Sequence, residues 1–147
     1  MGASLGYLSV KPVSRADHVQ LLALEAAANK AYDWWCESLW ISEKSDEAGN
    51  VFGSTKLFRL IDDPVTDTYM AYLDVCEIVT FLTSVADQLS IEWRLQMEGA
   101  PFGMVTKAGP DAQLQGSLSM FLEMFPGDFE TLRSRPRAEI LSEWSDR

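Results

Sequence analysis

His18 is the only histidine in the chain, and histidine is the side chain best suited to moving protons near neutrality. It falls in the first turn of a helix predicted over 15–32. No Ser or Cys stands at a recognisable nucleophile spacing from it, so a surface or capping role is expected. Cys36 and Cys76 are the only thiols. A reactive thiolate needs a neighbouring base or cation. Cys36 is flanked by Trp35 and Glu37, and Cys76 has Asp74 and Glu77 nearby; carboxylates raise a thiol pKa rather than lower it. Both are expected as small buried hydrophobes, not as a disulfide. The densest acidic run is Asp62, Asp63, Asp67, Asp74 and Glu77. A cation site would need these to converge as oxygen ligands. No DxDxDG loop, ExxH pair or HD motif accompanies them, and a solvated acidic face is the expectation. The glycines of GNVFGS match neither phosphate-loop pattern and read as turn glycines. No catalytic residue, metal or cofactor is therefore expected, and the chain is not expected to be an enzyme.

Binding residues are easier to find than reacting ones. Tyr32, Trp34, Trp35, Trp40 and Phe52 form an aromatic group, and Tyr and Trp dominate the energetic anchors of protein interfaces. Trp34 and Trp35 are adjacent, so on a regular element one of them faces outward. Two irregular segments, 43–50 and 61–68, hold carboxylates with few cations near them. Loops carry binding function more often than regular elements do. The expected partner-binding residues are Glu43, Asp46, Glu47, Asp62, Asp63 and Asp67, with Trp35, Trp40 or Phe52 as apolar anchors.

Composition sets the class of partner. The chain has 147 residues, 22 Asp and Glu against 12 Lys and Arg, and a formal net charge of −10, yet 47% of it is hydrophobic. That is a core large enough for one folded domain spanning 1–147. Such a charge repels phosphate backbones and anionic lipid, so neither nucleic acid nor membrane is expected as a direct partner. The nearest basic patch, Arg133, Arg135 and Arg137, is diluted by Glu130, Glu139 and Glu143. A basic protein is the favoured partner. The N-terminal stretch shows no leader pattern, and no run approaches the ~20 apolar residues that cross a bilayer. A cytoplasmic location is expected.

The elements that must position these residues are read from periodicity. Leu5 to Lys11 reads as a first strand, ended by Pro12. Ser14 and Asp17 make a capping-box-like start to the 15–32 helix, with Val19, Leu22, Ala23 and Ala26 on its apolar face. Glu37 to Glu43 reads as a strand. The stretch 51–61 fits either a strand or a helix capped by Ser54. Val75, Ile78, Val79, Leu82, Val85, Ala86 and Leu89 step by three and four, which predicts a helix over 72–89. IEWRLQME alternates, predicting a strand over 91–98 with Trp93 and Leu95 buried and Glu92 and Arg94 wet. A break at Gly99-Ala100-Pro101 leads to a returning strand over 102–107. Pro110 opens a helix over 110–125, with Leu114, Leu118, Phe121, Leu122 and Phe125 as its stripe and Pro126-Gly127 as its stop. A helical turn at DFETL and a last helix from Pro136, with Ala138, Leu141 and Trp144 to one side, complete the chain. The fold class is α+β: a small antiparallel sheet with a hairpin in the C-terminal half, packed by amphipathic helices.

The segment DVCEIVTFLTSVADQLSIEWRLQMEGAPFGMVTKAGPDAQLQGSLSMFLEMF resembles small immunity proteins encoded beside secreted bacterial toxins, in type VI secretion or polymorphic-toxin loci. The shared look is a helix, an IEWRL-like strand, a turn into FGMV, then GPD and a helix ending in FLEMF. It covers about a third of the chain and carries no motif whose residues transfer one by one. The resemblance implies a cytoplasmic inhibitor that binds and blocks a cognate toxin. The alternative is a small enzyme or ligand-binding domain with a site scattered in sequence.

Overall fold

The computed structural model describes residues 3–123 and 128–145. The described elements run β1 (Ala3–Ser9), α1 (Arg15–Ala31), β2 (Trp40–Ile41), β3 (Phe52–Leu57), α2 (Pro64–Leu89), β4 (Trp93–Met97), β5 (Ala100–Thr106), β6 (Gly109–Pro110), α3 (Ala112–Glu123), α4 (Asp128–Arg133) and α5 (Arg137–Trp144). The strands form one antiparallel sheet in the order β2-β3-β1-β4-β5-β6. The α+β class is as the sequence predicts.

The alternating residues of β4 do divide between core and water. Trp93 and Leu95 are buried, while Glu92 and Arg94 are exposed. They belong to rows that cross the whole sheet. Ile41, Gly53, Tyr7, Leu95 and Gly103 stand side by side on one face. That face packs on Leu21 of α1, on Val75, Ile78, Leu82 and Val85 of α2, and on Leu114 and Phe121 of α3. Gly103 is required there, because a Cβ on it would lie 2.4 Å from the Cβ of Leu114. A second apolar cluster, Trp35, Tyr69, Met70, Phe129, Leu132 and Ile140, joins the first half of α2 to α4 and α5. No described helix covers the opposite face of the sheet.

Several boundaries differ from the sequence reading, each for a local reason. α2 begins eight residues earlier than expected, because Pro64 occupies its first turn and Asp63 caps it by accepting from Thr66 N at 3.1 Å. Of the stretch 51–61, Phe52–Leu57 forms strand β3 and the rest is irregular, so Ser54 is a strand residue and not a cap. The predicted 37–43 strand shrinks to Trp40–Ile41. The hairpin turns at Glu98-Gly99, both at positive φ, so Ala100 and Pro101 belong to β5. Pro110 lies in β6, and Asp111 caps α3 by accepting from Leu114 N at 2.8 Å.

The apolar face assigned to α1 is also corrected. Val19, Ala23 and Ala26 are exposed, and His18 and Leu21 are the buried residues. In α5, Ile140 is buried and Ala138 is exposed. Phe125, Pro126 and Gly127 lie outside the described residues. By length and composition alone α2 is apolar enough to cross a membrane, but 56% of its apolar window is buried inside the protein.

Candidate functional site

The nine expected binding residues separate into interior and surface groups. Trp35 is 1% exposed and Asp67 4%. The indole Nε1 of Trp35 donates to Asp67 Oδ1 at 2.8 Å, and the same carboxylate accepts from Arg59 N at 2.9 Å and Leu60 N at 2.8 Å. These two residues pin the chain to α2 and are corrected from contact residues to structural ones. Asp63 is taken up in capping α2. Asp62, Glu43, Asp46 and Glu47 are exposed. Asp46 closes its own loop, accepting from Ala48 N and Asn50 N.

The two acidic segments do not share one patch. Segment 43–50 leads into β3 at Phe52, whereas segment 61–68 follows the other end of β3 at Leu57 and runs into α2. Five rises of ~3.3 Å from Phe52 to Leu57 set the two ends of β3 about 17 Å apart. The expected aromatic anchors Trp40 and Phe52 stand at the 43–50 end, on the open face of the sheet. Trp40 is 49% exposed, and its ring meets Phe52 edge-on at 6.2 Å between centroids. Of the adjacent indoles it is Trp34, half-buried, that lies nearer water; it packs on Tyr32 at 4.5 Å and donates to Asn29 Oδ1.

The backbone beneath Trp40 is held from inside. The Tyr7 hydroxyl donates to Trp40 O at 2.7 Å and accepts from Trp40 N at 3.1 Å. Burial pushes this phenol far above its ordinary range, so it stays a neutral donor. Gly53 lets the strands close up: a Cβ there would lie 2.1 Å from Trp40 O. Gly53, expected as a turn glycine, is corrected to a strand residue that the close approach of β2 requires, and Tyr7 was not singled out from sequence. Alternation in LGYLS could have flagged Tyr7 as inward, but nothing local shows what its hydroxyl meets.

The edge of β2 is sealed by α1. His18 Nε2 donates to Ser42 O at 2.8 Å, Asn29 Nδ2 donates to Leu39 O at 2.8 Å, and Glu25 accepts from Ile41 N. His18 is 2% exposed, so its expected surface or first-turn capping role is replaced by this one.

The other reactive types are equally committed. Burial first, and the Asp74 charge second, push the Cys36 thiol well up; burial also raises Cys76. Asp74 is fully buried rather than part of a solvated face. It accepts from Cys36 N, Trp35 N, Tyr32 Oη and Arg137 Nη2. Burial raises its pKa while these donors oppose the rise. The arginines expected as a diluted basic patch are engaged: Arg133 with Glu130, Arg135 with Glu139 and Glu143, and Arg137 with Asp74. No group of three or more His, Cys, Asp or Glu that could hold a metal occurs among the described residues. A cleft of about 360 Å³ between the α1 start and the α2 end is lined by Lys11 and Lys107 together with Asp17 and Glu92. Comparison of the chain with family models, with curated proteins and with solved structures finds no match in any of the three.

Proposed function

We propose that this chain is a stoichiometric protein inhibitor, an immunity protein that binds and blocks a cognate bacterial toxin in the cytoplasm without doing chemistry of its own. The observation that carries the reading is Trp40: a half-exposed indole on an edge strand, its backbone clamped by Tyr7, beside Phe52 and the exposed carboxylates of loop 43–50. An aromatic whose backbone is fixed before contact loses less entropy on binding. The net charge of −10 steers the chain toward a cationic cleft and raises the association rate. Nuclease toxins present such clefts because they bind phosphates, which makes a nuclease the best-suited target. Glu43, Asp46 and Glu47 then serve the first contact, and Asp62 acts only through the long-range field.

Capture from the source cell tests this, using the chain and its Trp40→Ala variant as baits. The captured protein is then expressed alone and together with each bait. The expected result is a basic protein that arrests growth alone and is neutralised by the wild type. The Trp40→Ala variant should bind it about tenfold or more weakly, the effect of losing ~1.4 kcal/mol. A captured protein that is harmless alone, or protection untouched by Trp40→Ala, overturns the reading.

A further inference from the structure

Two of the five lysines, Lys11 and Lys107, line the cleft of about 360 Å³ between the start of α1 and the end of α2. They reach it from distant parts of the chain. Lys11 follows β1, and Lys107 stands in the turn from β5 to β6. Asp17 and Glu92 line the same cleft. It therefore carries two cations and two anions, and is balanced within a molecule of net charge −10. None of the four makes an ion pair among the described residues. Lys11, Glu92 and Lys107 are exposed and Asp17 is half-buried, so a ligand would displace only water from them. The lining also includes half-buried Val13 and Leu89. α2 ends here with no basic residue in its last turn. Its carbonyl end thus adds a preference for a positive group.

We propose that this cleft binds a free α-amino acid with an aliphatic side chain. Such a molecule carries an anion and a cation on one carbon, with an apolar body beside them. Its carboxylate meets the ammonium groups of Lys11 and Lys107. Its ammonium meets Asp17, Glu92 and the carbonyl end of α2. Its side chain lies against Val13 and Leu89. A ligand with a single charge would satisfy one pair of side chains and strip water from the other pair without replacing it. The volume suits a molecule of this size, since small-molecule sites begin near ~300 Å³. Ion pairs at exposed positions each strengthen binding by no more than about fivefold. Together with a short aliphatic contact they give a dissociation constant on the order of 1 mM. None of these residues is among those assigned to toxin contact.

Titration of the isotope-labelled full chain with leucine, followed by amide chemical shifts at a constant ~0.15 M salt, tests this. The amides of Lys11, Ser14, Ser90 and Lys107 should shift and saturate, with a dissociation constant on the order of 1 mM. Isocaproate, which lacks the ammonium, and isoamylamine, which lacks the carboxylate, should each bind about fivefold or more weakly. Lys107→Gln should weaken leucine about twofold to fivefold and leave isoamylamine at least as tight as in the wild type. Asp17→Asn should weaken leucine to a similar extent and leave isocaproate at least as tight. The unperturbed remainder of each spectrum shows that the variant is folded. No saturable shift up to about 50 mM leucine overturns the proposal. So does either single-charge probe binding as tightly as leucine, because the cleft then reads one charge or none. Variants that weaken every probe alike, or none, overturn it as well. The experiment uses this chain alone, so its outcome is independent of the inhibitor reading.

Discussion

A carboxylate without a counter-ion stays buried only when donors replace the water it has lost. Asp67 meets that condition with one indole and two backbone N–H groups, and through them it fixes the conformation of residues 59–60. Replacing Asp67 by Ala leaves three donors facing no acceptor and should cost about 3 kcal/mol or more. Urea unfolding followed by tryptophan fluorescence measures this, and a midpoint unchanged from wild type would show that water fills the gap at no cost. In the sequence, Asp67 and Asp74 stand seven apart, two turns of one helix, which places them on a common face. What could not be read is that this face looks inward onto Trp35 and Cys36, because those partners come from an irregular segment more than thirty residues away.

Segment 58–63, the connection into α2, carries the least comfortable backbone of any described connection. Phe58 and Leu60 adopt left-handed conformations at φ 72 and φ 58, and Leu60 is 58% exposed. A non-glycine residue pays roughly 1–2 kcal/mol there. Leu60→Gly should therefore stabilise the fold by about 0.5–1 kcal/mol, once the extra freedom of glycine in the unfolded chain is deducted, and so raise the urea midpoint. A lowered midpoint would mean that the Leu60 side chain makes contacts worth more than the strain. Elements with a clean period were legible. The β4–β5 hairpin and the second half of α2 follow from alternation and from steps of three and four. The segments between them were not. β2 has only two residues, since the backbone of Trp35 and Cys36 is drawn to Asp74 and Leu39 O to Asn29. The face of α1 was misread because its inward side carries His18, Glu25 and Asn29, polar residues that serve an edge rather than a hydrophobic stripe.

Taken whole, the molecule holds its weak acids in their protonated forms. All four tyrosines and both cysteines are raised by burial, Tyr72 to about 12. In the unfolded chain the same groups ionise near 9.0 and 10.0. The unfolded state therefore releases protons first as pH rises. The stability these groups contribute is complete below about 9 and is lost progressively above it. Glu25 and Asp74 are also raised by burial, so their ionisation costs the native state as well, at lower pH. Urea midpoints should fall steadily above about pH 9, and absorbance near 295 nm should show less tyrosinate in the native protein than in the unfolded chain at the same alkaline pH. A native tyrosine titrating at its ordinary value would contradict the burial assigned to it. One consequence concerns how any other chain can read this one. At one margin of the sheet the outward carbonyls and amide of residues 39–42 are already taken by α1. At the other, β6 is two residues long and ends in Pro110, which has no N–H to offer. A visiting peptide cannot lengthen this sheet by lying down as a seventh strand, so recognition here rests on side chains and not on main-chain pairing.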